Sequence, residues 1–405
     1  MYMCFLYLLE SFICCGGLVW RSKDLLNPFV ISSGTWMLCA GLAQLHLSSI
    51  SRSWCFETHI AVHFFFYTVI ICGFLFIRHR AHYHEKCDVN FTKAFTYSYL
   101  VLIIVVILCS LLEWKANDFS IAILDTTKSG DLKSGFIALT GIHYFSLCLP
   151  YCALISFFCI LYGDYKHIKL HIMVIIYAFC YATLIEMSRG TLLIMFLGML
   201  LIYHSKKRLN FVKLLGIGFI VLALLCILMI RRLQNNSSLV FTAIEGNMYL
   251  SSIYTYIETP FLNLDQLITN GSPYSMVYAT VLRPLCQVLR LQLDFNYLEY
   301  DTYFFNARTI IYGFYHDMGL LGIILFTLIT YVVVGYIYDG AKHSARWVLM
   351  LAALQKAIYT PVFGNYFTGT VANSFPFIVV FLLTLLLKTK PTNYTAMFKG
   401  GTYNE

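Results

Sequence analysis

Apolar runs long enough to cross a bilayer fill this chain from end to end, and short basic clusters sit at every second junction between them. About twenty apolar residues in a helix match the roughly 30 Å hydrocarbon core of a membrane. Only 12% of the 405 residues are charged and the mean hydropathy is +0.72, so a water-soluble fold of this size would lack the polar surface to cover itself. Inside a bilayer every backbone polar group must be satisfied within the protein, which leaves helices or closed barrels. Barrel strands alternate apolar and polar residues, and the runs here do not. The expectation is an all-α, polytopic integral membrane protein, with 1–405 forming a single transmembrane domain.

Eleven candidate spans, within a range of ten to twelve, fall near 2–20, 28–48, 58–77, 95–113, 137–161, 169–186, 190–204, 211–230, 310–338, 347–365 and 372–388. The first run has no basic start and carries Glu10, which marks an uncleaved span rather than a signal peptide. Basic residues then set the orientation. Arg21 and Lys23, Arg78, Arg80 and Lys86, Lys166 and Lys169, Lys206 to Arg208, Lys342 and Arg346, and Lys388 and Lys390 all fall at alternate junctions. By the positive-inside rule those junctions are cytoplasmic, the N-terminus is extracytoplasmic and the C-terminus cytoplasmic. The formal charge of +8 lies mostly in these anchors, so it carries no implication of nucleic acid. The fourteen cysteines lie mostly inside apolar runs and lack metal-site spacing along the chain. No nucleotide, dinucleotide or zinc-protease motif is visible, and no cofactor or metal is expected.

Two outward regions remain, a smaller loop at 114–136 and a large one at 231–308. Within the large loop, GNMYLSSIYTYIETPFLNLDQLI reads as one or two amphipathic helices on the membrane surface, with Tyr249, Tyr254 and Tyr256 suited to an aromatic belt. Pro260 would break or start a turn between Glu258 and Asp265, either of which could bind or deprotonate a hydroxyl or be solvated loop charge. The loop holds Arg231, Arg232, Arg283, Arg290 and Arg308 but no lysine. A planar guanidinium matches two phosphate oxygens at once, whereas headgroup anchoring could use either basic residue. Arg283 and Arg290, seven apart, would share one helix face.

Two further segments stand out. In IEMSRGTLLIMF, Glu186 and Arg189 sit between two spans with no room for an extended loop. Ionisable residues at such depth are costly and imply function, although a Glu186–Arg189 hairpin pair is the simpler alternative. Ser188 and Gly190 would supply the turn. In FNARTIIYGFYHDMGLLG, a helix starting near Ala307 would stack Arg308, Tyr312, Tyr315 and Gly319, with Asn306, Gly313 and Asp317 on a neighbouring stripe and His316 as a further proton acceptor.

Together SRGTLLIMF, YTYIETPFLNL and FNARTIIYGFYHDMGLLGIILF resemble the bacterial oligosaccharide repeat-unit polymerases, the O-antigen and capsule polymerase (Wzy-like) family. The resemblance implies a C-type glycosyltransferase in the bacterial plasma (inner) membrane. Its partners would be undecaprenyl-diphosphate-linked oligosaccharides as donor and acceptor, membrane lipids and a chain-length regulator protein. Arg189, Arg308, Asp317, Pro260 and Asn263 match polar positions of the family's motifs. On this basis Arg189, Arg308, Asp317 and Glu258 are the catalytic candidates, and Arg189, Arg283, Arg290 and Arg308 would bind the diphosphate. Tyr254, Asn263, Asp265, Tyr312, Tyr315 and His316 would contact sugar. The related O-antigen ligases typically depend on a histidine in the large loop, and none occurs from 231 to 307. A ligase and a lipid-linked oligosaccharide flippase or other transporter remain the alternatives. A transporter would be expected to carry inverted repeats or spans broken at the midplane.

Overall fold

The computed structural model describes residues 2–48, 50–77, 89–124, 140–234, 248–271, 280, 282–289, 291 and 308–389. Arg290 and Asn306 lie outside the described residues. Among the described residues the chain is all-α apart from one short strand pair. Helices α1 (Tyr2–Ser22), α2 (Pro28–Ala43) and α3 (Phe56–Phe76) are followed by strand β1 (Val89–Phe91) and α4 (Lys93–Ala116). Next come α5 (Thr140–Ser146), α6 (Leu149–Tyr162), α7 (Ile168–Cys180), α8 (Arg189–Lys206), α9 (Phe211–Gln234), α10 (Met248–Thr269) and α11 (Arg283–Leu289). The chain then runs through α12 (Ile310–His343), α13 (Ala345–Ala353), α14 (Gln355–Tyr359) and α15 (Val371–Leu385) to β2 (Leu387–Thr389).

Local sequence sets the ends of these helices. Asn27 accepts from the Phe29 N–H with Pro28 at the first helical position, Thr92 accepts from the Phe95 N–H and Thr370 from the Asn373 N–H. Each satisfies an amide that a helix start leaves without a partner. Among the described residues, six helical segments are long and apolar enough to cross a membrane: α1, α3, α4, α5 with α6 (Gly141–Tyr162), α7 with its following turn (Ile168–Ile185), and α12. Helices α2 and α15 and the Val212–Val221 part of α9 are apolar but shorter.

The outside of the bundle is apolar. Phe5, Phe12 and Ile13 on α1 and Val101, Ile104 and Leu108 on α4 are all exposed, a surface that water would not tolerate over such an area. Polar groups are buried instead, among them Ser32, Thr58, Glu113 and Thr327. Small residues let helices close up: a Cβ on Gly198 would lie 2.7 Å from the Leu154 methyls and 3.0 Å from the Ala352 carbonyl.

Contacts sort the chain reversals into two ends. At one end the Tyr338 hydroxyl donates to Asp24 at 2.9 Å, His204 lies 3.4 Å from the same carboxylate, and Tyr162 meets Ser205 at 3.1 Å. Strands β1 and β2 pair antiparallel there, with Val89 opposite Thr389. Arg21, Lys23, Lys166, Lys206 and Lys342 belong to the same end. The other end gathers the 44–55 connection, α10, the 186–188 turn, the start of α12 and the 360–370 connection.

Three expectations need correction. The 347–365 run is not one helix: it divides at Leu354 into α13 and α14, and Pro361 and Gly364 (φ +150°) end it in a 3-10 turn at Pro361–Phe363. Helix α12 starts at Ile310, with Thr309 as its cap, and breaks at Met318 and Gly319 (φ +62°). Arg308 therefore precedes the helix, and Gly319 leaves the register that Tyr315 would have shared with it. Helix α10 is one continuous helix that Pro260 neither starts nor ends. It packs on α2, α3 and α12, burying Phe261, Leu262, Leu264 and Leu267 completely.

Candidate functional site

Two cavities open at the end opposite the basic clusters, and they share Tyr366 and Asn373. The larger, about 270 Å³, has Arg283, Arg308, Tyr312, Asn365 and Thr370 in its wall. Arg308 stands at the mouth of α12 with its guanidinium 5.0 Å from the Tyr312 ring centroid. The first-turn amides of the α12 segment before the break, Ile310 to Asp317, open at the same place, a combination suited to an anion. Arg283 opens α11 and is brought there by a buried anchor. Asp317 accepts the Thr280 amide at 2.9 Å and the Thr280 hydroxyl as well, three residues before Arg283.

The second cavity, about 170 Å³, carries Glu186, Ser188, Gly190 and Lys356. Lys356 holds its ammonium 4.1 Å over the Tyr366 ring, a cation–π contact. Gly190 makes room for it, since a Cβ there would come within 3.3 Å of Nζ. The turn before α8 works differently from the sequence expectation. Met187, not glycine, takes the left-handed conformation (φ +47°), and Ser188 caps α8 by accepting from the Thr191 amide at 3.3 Å. Thr191 donates its hydroxyl to Glu186 at 3.2 Å. Arg189 lies 5.0 Å over the Tyr256 ring and donates to its hydroxyl at 3.1 Å. Among the described residues Arg189 and Glu186 form no ion pair.

The 360–370 connection that joins the two cavities is held by its own hydrogen bonds. Asn365 accepts from the amides of Phe367 and Thr368, each at 3.1 Å. Asn373 donates to the Asn365 carbonyl at 3.3 Å. Such self-satisfied loops position side chains without needing a ligand.

Several sequence-derived candidates are placed away from both cavities. Tyr254 staples α10 to the end of α2, donating to the Leu42 and Ala43 carbonyls at 3.2 and 3.3 Å and accepting from the Leu47 amide at 3.2 Å. Asp265 accepts from the Cys55 amide at 2.7 Å and the Thr58 hydroxyl at 2.8 Å, and pairs with Arg52 at 3.4 Å. Tyr315 donates to Glu57 at 2.9 Å. Asn263, Asp317 and His316 are buried. Glu258 is buried completely, and neither carboxylate oxygen has a partner in hydrogen-bonding geometry. Burial pushes its carboxyl up to about 7, while the nearby Ser51 and Ser48 hydroxyls pull it back without closing a bond.

Lys356, Tyr366, Asn365 and Asn373 escaped the sequence reading. The signal for Asn365, Tyr366 and Asn373 was TPVFGNYFTGTVANSF, where Gly, Asn and Thr crowd between two apolar runs, and Lys356 lies just before it. A second omission lies at the other end, where Cys159, Asp164 and His171 bring ligand atoms within 4.8 Å of one another. His171 is already held there by Asp164 and Ser156, each at 3.3 Å. No family model, curated protein or solved structure matches this chain. What defines its class is therefore the fold itself: an all-α bundle with membrane-length apolar helices and a cation-lined polar end.

Proposed function

We propose that this protein polymerises polyprenyl-diphosphate-linked oligosaccharides by glycosyl transfer on the extracytoplasmic side of a bacterial plasma membrane. The observation that carries the reading is the cavity shared by Arg283 and Arg308 at the start of α12, at the end opposite the basic clusters. With those clusters cytoplasmic, the cavity faces outward, where lipid-linked repeat units are presented. A topology of about eleven crossings fits this orientation, with short helices such as α2 and α15 completing the bundle beside the six longer ones.

In this reading the donor's diphosphate sits against Arg308 and Arg283, with Lys356 across the shared Tyr366–Asn373 wall. An acceptor sugar hydroxyl attacks the anomeric carbon and gives its proton to Glu186 on the cavity wall. The bond from that carbon to the diphosphate breaks, and the diphosphate leaves with the electron pair. Charge growing on the departing diphosphate is met by guanidinium groups already in place, which is where preorganised electrostatics contributes most. Asp317 acts by holding Thr280, and so Arg283, rather than as a base. Glu258 is sealed beneath the 48–51 connection. Glu186 is the carboxylate that reaches a cavity wall.

The break in α12 at Met318 and Gly319 favours a second reading, transport, because discontinuous helices recur in transporters. It lies nine residues inside a 34-residue helix, about a quarter of the way along from its outer end. The test uses purified protein in lipid nanodiscs with lipid-linked repeat units and no nucleotide sugar. Polymerisation yields a ladder of products. Absence of a ladder, together with movement of the carrier across proteoliposomes, would replace the reading with transport.

A further inference from the structure

Helix α15 lines three cavities in succession, and the chemistry along it changes in one direction. Thr370, just before the helix, and Asn373 face the arginine-bearing cavity. Ala372, Pro376 and Phe377 face the Lys356 cavity. Val379, Leu382 and Leu383 face a third, about 260 Å³, shared with Ser98, Val101 and Val105 of α4. Residues 372, 376, 379 and 383 are four, three and four apart, so one stripe of the helix runs through the last two. On α4, residues 98, 101 and 105 repeat at three and four in the same way. The third cavity carries no charged residue, and its rim is on the apolar outside of the bundle: Val101 is 61% and Leu382 55% exposed.

The second and third cavities adjoin. Phe145 belongs to the third and Ser146 to the second, and the Phe145 ring packs edge-on against Phe375 at 5.3 Å between α5 and α15. From Ala372 to Leu383 the helix rises roughly 16 Å, about half the hydrocarbon thickness. A cation-bearing pocket at the polar end therefore passes into an uncharged groove that descends the face of the bundle. That arrangement fits one kind of molecule, an amphiphile with a phosphate headgroup and a single long chain.

We infer that α15 is the rail on which the lipid carrier lies. The diphosphate spans the Tyr366–Asn373 wall between Arg308 and Lys356, and the isoprenoid chain leaves past Phe377 and Phe145 into the groove between α4 and α15. This rests on the proposed glycosyl-transfer reading for the identity of the chain and adds the route by which carrier enters and product carrier departs. Pro376 serves the route, because a proline inside a helix removes a backbone bond and opens the local turn.

The test is photolabelling of the full-length protein in nanodiscs with a polyprenyl diphosphate bearing a diazirine along its chain. Label is expected on peptides containing 98–105 and 379–383, undiminished by a tenfold excess of phosphatidylglycerol. Val101→Trp and Leu382→Trp, at exposed positions where folding is insensitive, should each displace the label. Lys356→Gln should weaken labelling about tenfold, with Lys356→Arg restoring most of it. Equal competition by phosphatidylglycerol would show an ordinary lipid crevice and overturn the assignment, as would label on other helices. A ladder of polymer with label elsewhere sinks the route and spares the polymerase reading. Label in the groove without a ladder does the reverse.

Discussion

Replacing Arg308 separates charge from geometry in a single residue. Its guanidinium stands 5.0 Å from the Tyr312 ring, on the wall of the cavity it shares with Arg283. Lysine keeps the positive charge but loses the planar fork that engages two phosphate oxygens together. One charge-assisted hydrogen bond contributes about 1.5–3 kcal/mol, so Arg308→Lys should slow transfer roughly 10- to 150-fold. Arg308→Ala also removes the charge beside the leaving group, and its loss should resemble removal of an oxyanion-stabilising donor, on the order of 100- to 1,000-fold. The assay is ladder formation by purified protein from lipid-linked repeat units, followed at several substrate concentrations. Because the charge grows as the bond breaks, the loss should fall on kcat more than on KM. Raising ionic strength should weaken the wild type more than Arg308→Ala, since screening acts on the charge that the variant lacks. A folded Arg308→Ala protein with wild-type kcat would refute the clamp.

Other outcomes follow from neighbouring groups. Asp265→Ala strands the Cys55 amide, the Thr58 hydroxyl and Arg52, and should lower stability by about 2–4 kcal/mol with KM unchanged; a raised KM at normal thermal stability would restore the sugar-binding role to Asp265. Glu258, held at about 7, binds its proton more tightly folded than unfolded, so its contribution is present below the ordinary carboxylate range and lost as pH rises through 7. Between those limits the loss amounts to roughly 3 kcal/mol, and Glu258→Gln should flatten the melting temperature against pH over that window. Gly190→Ala places a methyl 3.3 Å from the Lys356 ammonium; a few-fold fall in rate with an unchanged melting temperature is expected, and larger side chains should do worse. Glu186→Gln keeps the Thr191 contact in shape while removing the charge, and substrate photolabelling should survive while the ladder rate falls.

Much of the helical architecture could be read from apolar runs, because the bilayer demands helices of a set length. Nearly every candidate span coincides with a helix, and the ends of α1, α3, α4 and α8 fall within a few residues of the sequence boundaries. The failures have two causes. Averaged over a window, the 347–365 run is apolar enough to look like one helix, and its single lysine passes for a surface anchor. Only the fold places Lys356 over Tyr366 beside Gly190. Helix α10 failed for the opposite reason. A polar stripe holding Tyr254, Glu258 and Asp265 looks the same whether it faces water or the polar interior of a bundle, and here it faces inward. Arg283 and Arg308 were legible only as members of a lysine-free arginine set, with Arg283 paired to Arg290, and their meeting depends on Asp317 reaching back to Thr280, a contact across unlike segments that no spacing rule contains.

The strand pair at the basic end has a consequence for how this chain is made. Val89 cannot find Thr389, nor can the Thr92 hydroxyl reach the Leu386 carbonyl at 2.8 Å, until almost all of the intervening chain has been inserted. A ribosome would therefore have finished nearly the whole protein before this clasp could close. Until then the basic-end edge of α4 stays unlatched, and the groove it shares with α15 does not exist. Chains cut short of Leu387 should reach the membrane yet be cleared by proteases there, with every earlier helix already in place.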